Sequence, residues 1–237
     1  LYHDNHSYTP GTIIGHEFCG EISRVGENVK DWKVGDRVVA ENNKAVCGKC
    51  EFCRRGMENF CQNQKTVGYS MNGGWAEYYC TPANLLLRIP DNVSFEEAAM
   101  TEPLNVVCQA LFIKEGVRHG DVVLVQGCGT IGMLCAMVAK ALGAKTVIIT
   151  GVDADEELRL PIARNIEAID HVINVSRTNL KDEIMRITDG RGVDVIVEAS
   201  GSDIAIANMY EVLKMTGTVV VLGETSKPVN LDWNQFL

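Results

Sequence analysis

The sequence predicts an α/β protein, with a doubly wound parallel sheet in its C-terminal half and a mostly β region carrying a cysteine-rich lobe before it. Three observations predict this. Past Pro103, apolar strand-like runs alternate with helical stretches. One strand-to-helix junction there reads Gly127-Cys128-Gly129-Thr130-Ile131-Gly132, the pattern G-x-G-x-x-G. Ahead of it, Cys47, Cys50, Cys53 and Cys61 follow one another as C-x2-C-x2-C-x7-C.

The first hundred residues read as loops and short strands. Glu21–Val25 runs up to Gly26, and 34–39 is an apolar run opened by a Gly35-Asp36 turn. The cysteine lobe, 47–61, follows. Gly73-Gly74 leads into Trp75–Cys80, whose alternating aromatics predict a strand. Ile89-Pro90-Asp91 closes this part. Ser94 as N-cap, with Glu97 three residues on, predicts a capping box opening a helix.

Beyond Pro103 the expected strands are 122–126, 146–150, 171–175, 193–198 and 218–222, with helices over 131–143, 156–167, 180–188 and 204–215. Five strands separated by helices at this spacing imply a parallel sheet covered on both faces. Pro161 falls inside the second helical stretch, where its missing N–H predicts a kink, and Glu167 stands near where a helix-ending glycine is expected. The domains are therefore expected at 1–102 and 103–237.

Composition bounds the function classes. The 237 residues are 46% apolar and 22% charged, which is ordinary for a globular chain with a sizeable core. The net charge of -9 comes with no basic stripe, so a nucleic-acid backbone is not an expected partner. The longest apolar region, 122–152, is broken by Gly127, Gly129, Gly132, Lys140 and Lys145, which excludes a membrane span there. No secretory signal is visible, and the expected compartment is the cytoplasm. There are nine cysteines; Cys108 and Cys135 lie in apolar runs and read as small buried hydrophobes.

The four-cysteine lobe has little apolar surface of its own. Thiolates this close in sequence converge on one tetrahedral ion, and zinc favours four sulfurs. Four reduced thiols or two disulfides are the other readings. A closed sphere of four thiolates is structural, because it leaves no position for a substrate.

The glycine pattern follows the buried-strand run 122–126 and opens a helical run, the context of a dinucleotide fingerprint. Gly127 makes the tight turn, Gly129 lets the pyrophosphate approach the backbone, and Gly132 lets helix and strand pack. Cys128, Thr130 and Ile131 complete the loop at the helix N-terminus, where free N–H groups favour an anion. A glycine turn without ligand is the alternative. The residue after 146–150 is Gly151 rather than an acid, and Asp153 and Asp155 come late. Asp153 is the candidate for the adenosine ribose, or else a turn residue or helix cap. Both NAD and NADP stay open.

Gly15-His16-Glu17 places an imidazole beside a carboxylate, and Glu102 precedes Pro103. Such residues are usually structural or solvated. Their company here, a metal lobe and a nucleotide loop, suits a hydride-transfer enzyme that needs a Lewis acid on an alcohol.

The order Gly-His-Glu, cysteine lobe, Gly-Gly-Trp-Ala-Glu-Tyr, Glu-Pro-Leu at 102–104 and glycine loop resembles the zinc-dependent medium-chain dehydrogenases over essentially the whole chain. It is most similar to their sorbitol/L-iditol and L-threonine dehydrogenase branch. The resemblance implies an incomplete GroES-like catalytic domain followed by a partial Rossmann domain. It implies a catalytic zinc at His16 and Glu17, with Glu102 able to bind the zinc or its water, and a structural zinc at Cys47, Cys50, Cys53 and Cys61. It implies hydride transfer from a secondary alcohol, such as a polyol, to NAD or NADP. An L-threonine dehydrogenase-like enzyme and a non-catalytic zinc- or nucleotide-binding relative are the alternatives. A homodimer or homotetramer is implied for the parent protein, and no nucleic-acid or membrane partner. The chain opens at Leu1 and closes on an apolar tail, while the family's zinc-ligating cysteine lies upstream of the His-Glu pair and its sixth sheet strand downstream. The chain is therefore expected to be a fragment truncated at both ends, with little activity alone.

Overall fold

The computed structural model describes residues 9–114, 116–225, 227–232 and 234, and the side chains of all these but 43 and 44. The chain forms two compact units, Leu1–Pro103 and Leu104–Leu237.

In the first unit, β1 (Cys19–Glu21), β2 (Arg37–Ala40) and β5 (Leu86–Arg88) form an antiparallel sheet in the order β1-β2-β5. β3 (Asn43–Ala45) and β4 (Lys65–Thr66) pair antiparallel and bracket the cysteine lobe, pinning its two ends together. Inside the lobe, α1 (Glu51–Arg54) takes Cys50 as its N-cap. The expected capping box is present. Ser94 Oγ accepts from Glu97 N at 3.1 Å, Glu97 Oε2 accepts from Ser94 N at 2.7 Å, and α2 (Phe95–Ala99) follows. Val39, Ile89 and Ala98 form the small core, with Cys19 and Val93 against it. Arg37 lies over the Phe95 ring at 4.5 Å, so part of this unit is closed by cation–π contact.

Two readings of this region differ from the structure. The strand starting near Glu21 covers Cys19–Glu21 and has ended by Ile22. Residues 74–80 are bends and coil. The N–H groups that open this run go instead to the 13–15 segment: Gly73 to Ile13 O at 2.7 Å, Gly74 to Gly15 O at 2.9 Å, Trp75 to Ile14 O at 3.1 Å. Alternation shows which side chains could share a face; it does not supply the ladder partner that makes a strand.

α3 (Thr101–Cys108) begins in the first unit and runs on into a five-residue π-helix, Gln109–Ile113. In the second unit, β6 (Val122–Gln126), α4 (Thr130–Ala141), β7 (Thr146–Gly151), α5 (Arg159–Arg164), β8 (His171–Asn174), α6 (Leu180–Ile187), β9 (Val193–Glu198), α7 (Asp203–Ala207) and β10 (Leu213–Val221) alternate as expected. The sheet order is β10-β9-β6-β7-β8, and every pairing is parallel. Period-2 alternation makes it doubly wound. Val123, Val125, Val147, Ile149, Val195 and Val197 face one core with Cys135, Ala136 and Ala139 of α4 and Leu160 and Ala163 of α5. Leu124, Ile148, Ile173 and Ile196 face the other, with Ile184 of α6 and Ile206 of α7. Cys135 is fully buried, and burial pushes its thiol up to about 12. Cys108 is only half-buried.

α5 is shorter than the 156–167 stretch and has no broken interior. It begins at Arg159, so Pro161 sits in its first turn, where the absent N–H has no intrahelical acceptor to lose. The last helical stretch is shorter too. It ends at Ala207, a 3-10 turn covers Met209–Glu211, and β10 starts at Leu213 in register with Val193. A bulge between Leu213 and Thr218 holds Thr216 at φ 66. Among the described residues, no helix is long and apolar enough to cross a membrane.

Candidate metal and dinucleotide sites

Each first-unit candidate site is a convergence of side chains from separate turns. The Sγ atoms of Cys47, Cys50, Cys53 and Cys61 lie within 4.8 Å of one another. Cys50 and Cys53 are 3.4 Å apart and Cys47 and Cys53 3.9 Å. Four sulfurs about 2.3 Å from a shared tetrahedral ion stand about 3.8 Å from each other, so these separations match a metal cage and are far too long for disulfides. Backbone donors also favour thiolate sulfur. Cys50 N points at Cys47 Sγ at 3.3 Å, Cys53 N at Cys50 Sγ at 3.5 Å, and Cys47 N at Cys61 Sγ at 3.5 Å. The N–H groups of Lys49 and Cys50 hold the Cys47 thiol down to about 6. Burial, with the Cys50 and Cys61 thiols alongside, pushes Cys53 up to about 12. Four thiols so crowded cannot all ionise without a cation among them, and the donor set fits zinc.

The second cluster is His16, Glu17 and Glu102, with donor atoms also within 4.8 Å of one another. His16 follows Gly15, whose φ of +94° suits glycine and whose missing side chain matters. A Cβ there would lie 2.1 Å from Trp75 Cδ1. The three backbone bonds from 73–75 and the Trp75 ring together fix the residues leading into His16. Tyr69 stacks beside it, ring centroids 5.0 Å apart and tilted by 45°. Burial pushes the Glu102 carboxyl up; His16 pulls it down, Glu17 adds like-charge repulsion, and Asn42 gives it a hydrogen bond. An imidazole and two carboxylates with one half-buried acid fit a zinc ion as donors, and they leave the coordination sphere incomplete.

In the second unit, the glycine loop sits between β6 and α4. Gly127, at φ 103°, turns the chain, its N–H facing Thr150 O at 3.2 Å and Thr150 Oγ1 at 3.3 Å. A Cβ on Gly132 would lie 1.9 Å from Gly127 O, so helix and strand pack as closely as the pattern requires. A Cβ on Gly129 would meet nothing within 4 Å. Gly129 is also the N-cap of α4, so no side chain caps the first-turn N–H groups of Thr130 and Ile131. That cradle fits a dinucleotide pyrophosphate. Cys128 turns inward; burial and Asp155 push its thiol up to about 11, and the loop uses only its backbone.

Asp153 points elsewhere. Its Oδ1 accepts from Asn174 Nδ2 at 2.8 Å and Arg177 Nε at 2.6 Å. Two other acids are better placed: Asp155, visible in the sequence beside Asp153 as a late acid, and Glu198, which the sequence reading did not single out. Asp155 reaches back to the end of β7. Glu198, fully buried at the end of β9, accepts through Oε1 from Ser200 N at 2.9 Å and Gly201 N at 2.9 Å. It thereby fixes the loop at the point where the strand order reverses, between β6 and β9. An acid ending the strand directly after the apolar Val195-Ile196-Val197 was the available signal for Glu198.

Comparison with known proteins agrees with this layout. Residues 1–91 match the family described as alcohol dehydrogenase GroES-like domain, and 130–237 match the family described as zinc-binding dehydrogenase. A sorbitol dehydrogenase of Halalkalibacterium halodurans is 37% identical over 96% of this chain and 65% of its own length. An L-threonine 3-dehydrogenase of Rhizobium rhizogenes is 38% identical over 95% of this chain and 63% of its own. The alcohol dehydrogenase TADH from Thermus sp. ATN1 superposes with a TM-score of 0.80 at 31% identity, covering 96% of this chain and 66% of that one. The chain thus spans somewhat under two thirds of the length of these curated relatives.

Proposed function

We propose that this chain, which belongs to the zinc-dependent medium-chain dehydrogenases, carries the metal and dinucleotide sites of an oxidoreductase acting on secondary alcohols. The observation that carries this is the presence of two distinct donor clusters in the first unit, one of four sulfurs and one of imidazole plus carboxylates, and of a glycine cradle in the second. Cys47, Cys50, Cys53 and Cys61 hold a structural zinc that orders the lobe between β3 and β4. His16, Glu17 and Glu102 hold the second. A zinc ion there would supply Lewis acidity toward an alcohol. The dinucleotide supplies the hydride acceptor. Among the chain's own groups, His16 is kept in place by the 13–15 and 73–75 contacts and by Tyr69. The loop 127–132 orients the pyrophosphate through its N–H groups.

A polyol such as sorbitol or L-iditol is the proposed substrate class. L-threonine is the second reading, supported by the similarity to L-threonine 3-dehydrogenases. A homo-oligomer fits the reading as well, because β10 pairs with β9 alone among the described residues and keeps one edge free. Thiols gathered for metal rather than paired as disulfides support a reducing, cytoplasmic setting.

Metal analysis of protein carrying this sequence tests the site assignments. Two zinc ions per chain are expected, with one lost in His16→Ala and the other in Cys50→Ser. Rates on sorbitol, L-iditol and L-threonine with each nicotinamide then rank the substrates. A single zinc that survives His16→Ala would leave only a structural metal and overturn the catalytic reading.

A further inference from the structure

The glycine cradle lies at the carboxyl ends of the parallel strands. At their opposite, amino ends a separate cavity of about 250 Å3 opens in the same unit. Its lining holds three basic side chains, Lys145, Arg191 and Lys214, and one acid, Asp194, beside Val122 and Gly192. Val122 starts β6, Lys145 immediately precedes β7, Asp194 is second in β9 and Lys214 second in β10.

Only one of the three cations is matched. Lys214 Nζ pairs with Asp194 Oδ1, and Asp194 Oδ2 accepts from Val122 N at 2.7 Å. Burial pushes the Asp194 carboxyl up, but Lys214, the Val122 N–H and Arg191 outweigh that and keep it below the usual range. Both of its oxygens are thus engaged. Lys145 and Arg191 are exposed and form no ion pair among the described residues. Arg191 donates through Nε to Thr188 O at 3.1 Å, which leaves its terminal nitrogens uncommitted. Three cations around one concavity repel one another, and an anion among them relieves that repulsion.

The backbone holds these cations in place at a cost. Among the described residues, the non-glycine residues with positive φ are Asp189, at 52°, and Thr216, at 66°. Asp189 stands two positions before Arg191, and Thr216 two positions after Lys214. A β-branched residue in this conformation is strained, and such strain collects at binding sites. Gly192 locks the two segments together, because a Cβ on it would lie 2.7 Å from Val212 O and 3.0 Å from Lys214 N.

Two unmatched positive charges balance a dianion, whereas a monocarboxylate would leave one unmatched. A guanidinium fork with ammonium groups beside it is a donor set suited to phosphate oxygens. The cavity is smaller than the roughly 300–1,000 Å3 sites of larger ligands, which restricts the occupant to a small one. We propose that Lys145, Arg191 and Lys214 form a binding site for a phosphoryl dianion, either inorganic phosphate or a small phosphomonoester, distinct from the dinucleotide cradle. This site stands independently of the reading of 127–132.

Calorimetric titration of the zinc-loaded protein at constant ionic strength, with and without saturating NAD, tests it. Inorganic phosphate should bind one to one, and equally well in the presence of NAD. Arg191→Gln and Lys145→Gln should each weaken phosphate binding at least tenfold and leave NAD binding unchanged. The Lys145 side chain is exposed and unpaired, so Lys145→Gln serves even if Arg191→Gln fails to fold. Tighter binding of glycerol phosphate than of inorganic phosphate would assign the site to a phosphomonoester, and the reverse order to free phosphate. Absence of phosphate binding in the wild type would overturn the proposal. Acetate binding as tightly as phosphate, displacement of phosphate by NAD, or unchanged phosphate affinity in folded Lys145→Gln would each overturn it too.

Discussion

Asp170 ties two elements of the parallel-sheet unit together through one carboxylate. Lys140 Nζ, near the end of α4, donates to both of its oxygens at 2.9 and 2.8 Å, and Val147 N in β7 donates to Oδ2 at 2.7 Å. Burial pushes this carboxyl up, but Lys140 and the Val147 N–H more than compensate and hold it below the ordinary aspartate range. A folded-state pKa below the unfolded one stabilises the fold above the unfolded value, about 3.9, and the contribution fades as pH falls through the folded value. Asp170→Asn keeps an acceptor for Val147 and removes only the charge. Because the pair is partly exposed, the expected cost at pH 7 is only about 0.5–1 kcal/mol. The difference from wild type should narrow as pH falls below about 3.9 and through the lower folded value, as read by urea unfolding across pH. A gap that does not narrow at all as pH falls below about 3.9 would show that shape rather than charge is responsible. At this scale, the candidates legible in sequence were those declared by local spacing. The four cysteines announce a cage because ligands close in sequence are close in space. His16 and Glu102 are far apart in sequence, and only the company of other motifs joined them. Asp155 was visible as a late acid beside Asp153, but its contacts with Val152 N and Cys128 depend on the turn after Gly151, which spacing does not encode.

The strand-turn-helix from β6 to α4 shows what an element can specify. Its apolar run is short, β-branched and bounded by glycine, so Val122–Gln126 was readable to the residue. The closest approach inside it is Gly132 to Gly127 O, where a Cβ would stand at 1.9 Å. Gly132→Ala must therefore push α4 away from the end of β6. The expected cost is about 1–3 kcal/mol of stability from overpacking. Displacing the first-turn N–H groups should weaken dinucleotide binding by at least tenfold, measured by thermal shift and by binding titration. Unaltered affinity would mean that the cradle is not the pyrophosphate site. Elements whose ends depend on partners were less legible. α5 starts later than its helical pattern because Pro161 is accommodated only in a first turn. β10 starts earlier than its apolar run because Val193 offers Leu213 a register partner. Trp75–Cys80 alternates like a strand, yet the N–H groups of Trp75 and of Gly73 and Gly74 before it are taken by residues 13–15. Proline geometry decided the first boundary, and tertiary hydrogen bonds decided the other two.

For the whole chain, the two units are stabilised by different means, and that difference is measurable. The first has a small core, Val39, Ile89 and Ala98 with two partly buried neighbours, and leans on its cysteine lobe. The second has two extensive cores, one on each face of a five-stranded sheet. A metal held by ligands brought together only in the folded state contributes its binding energy to folding. Removing zinc with a chelator should then lower the melting of the first unit and leave the second near its original transition. Dinucleotide should do the converse. A ligand present at 100 times its Kd adds about 2.7 kcal/mol, which for a unit of this size moves the midpoint up by about 8–10 °C. Differential scanning calorimetry with chelator, with dinucleotide and with both should show the two shifts acting on separate transitions. Hydrogen exchange at Val39 and at Val125 assigns each transition to its unit. One transition, moved equally by either treatment, would mean that the units unfold as a single cooperative block, and metal loss would then count against the dinucleotide site as well.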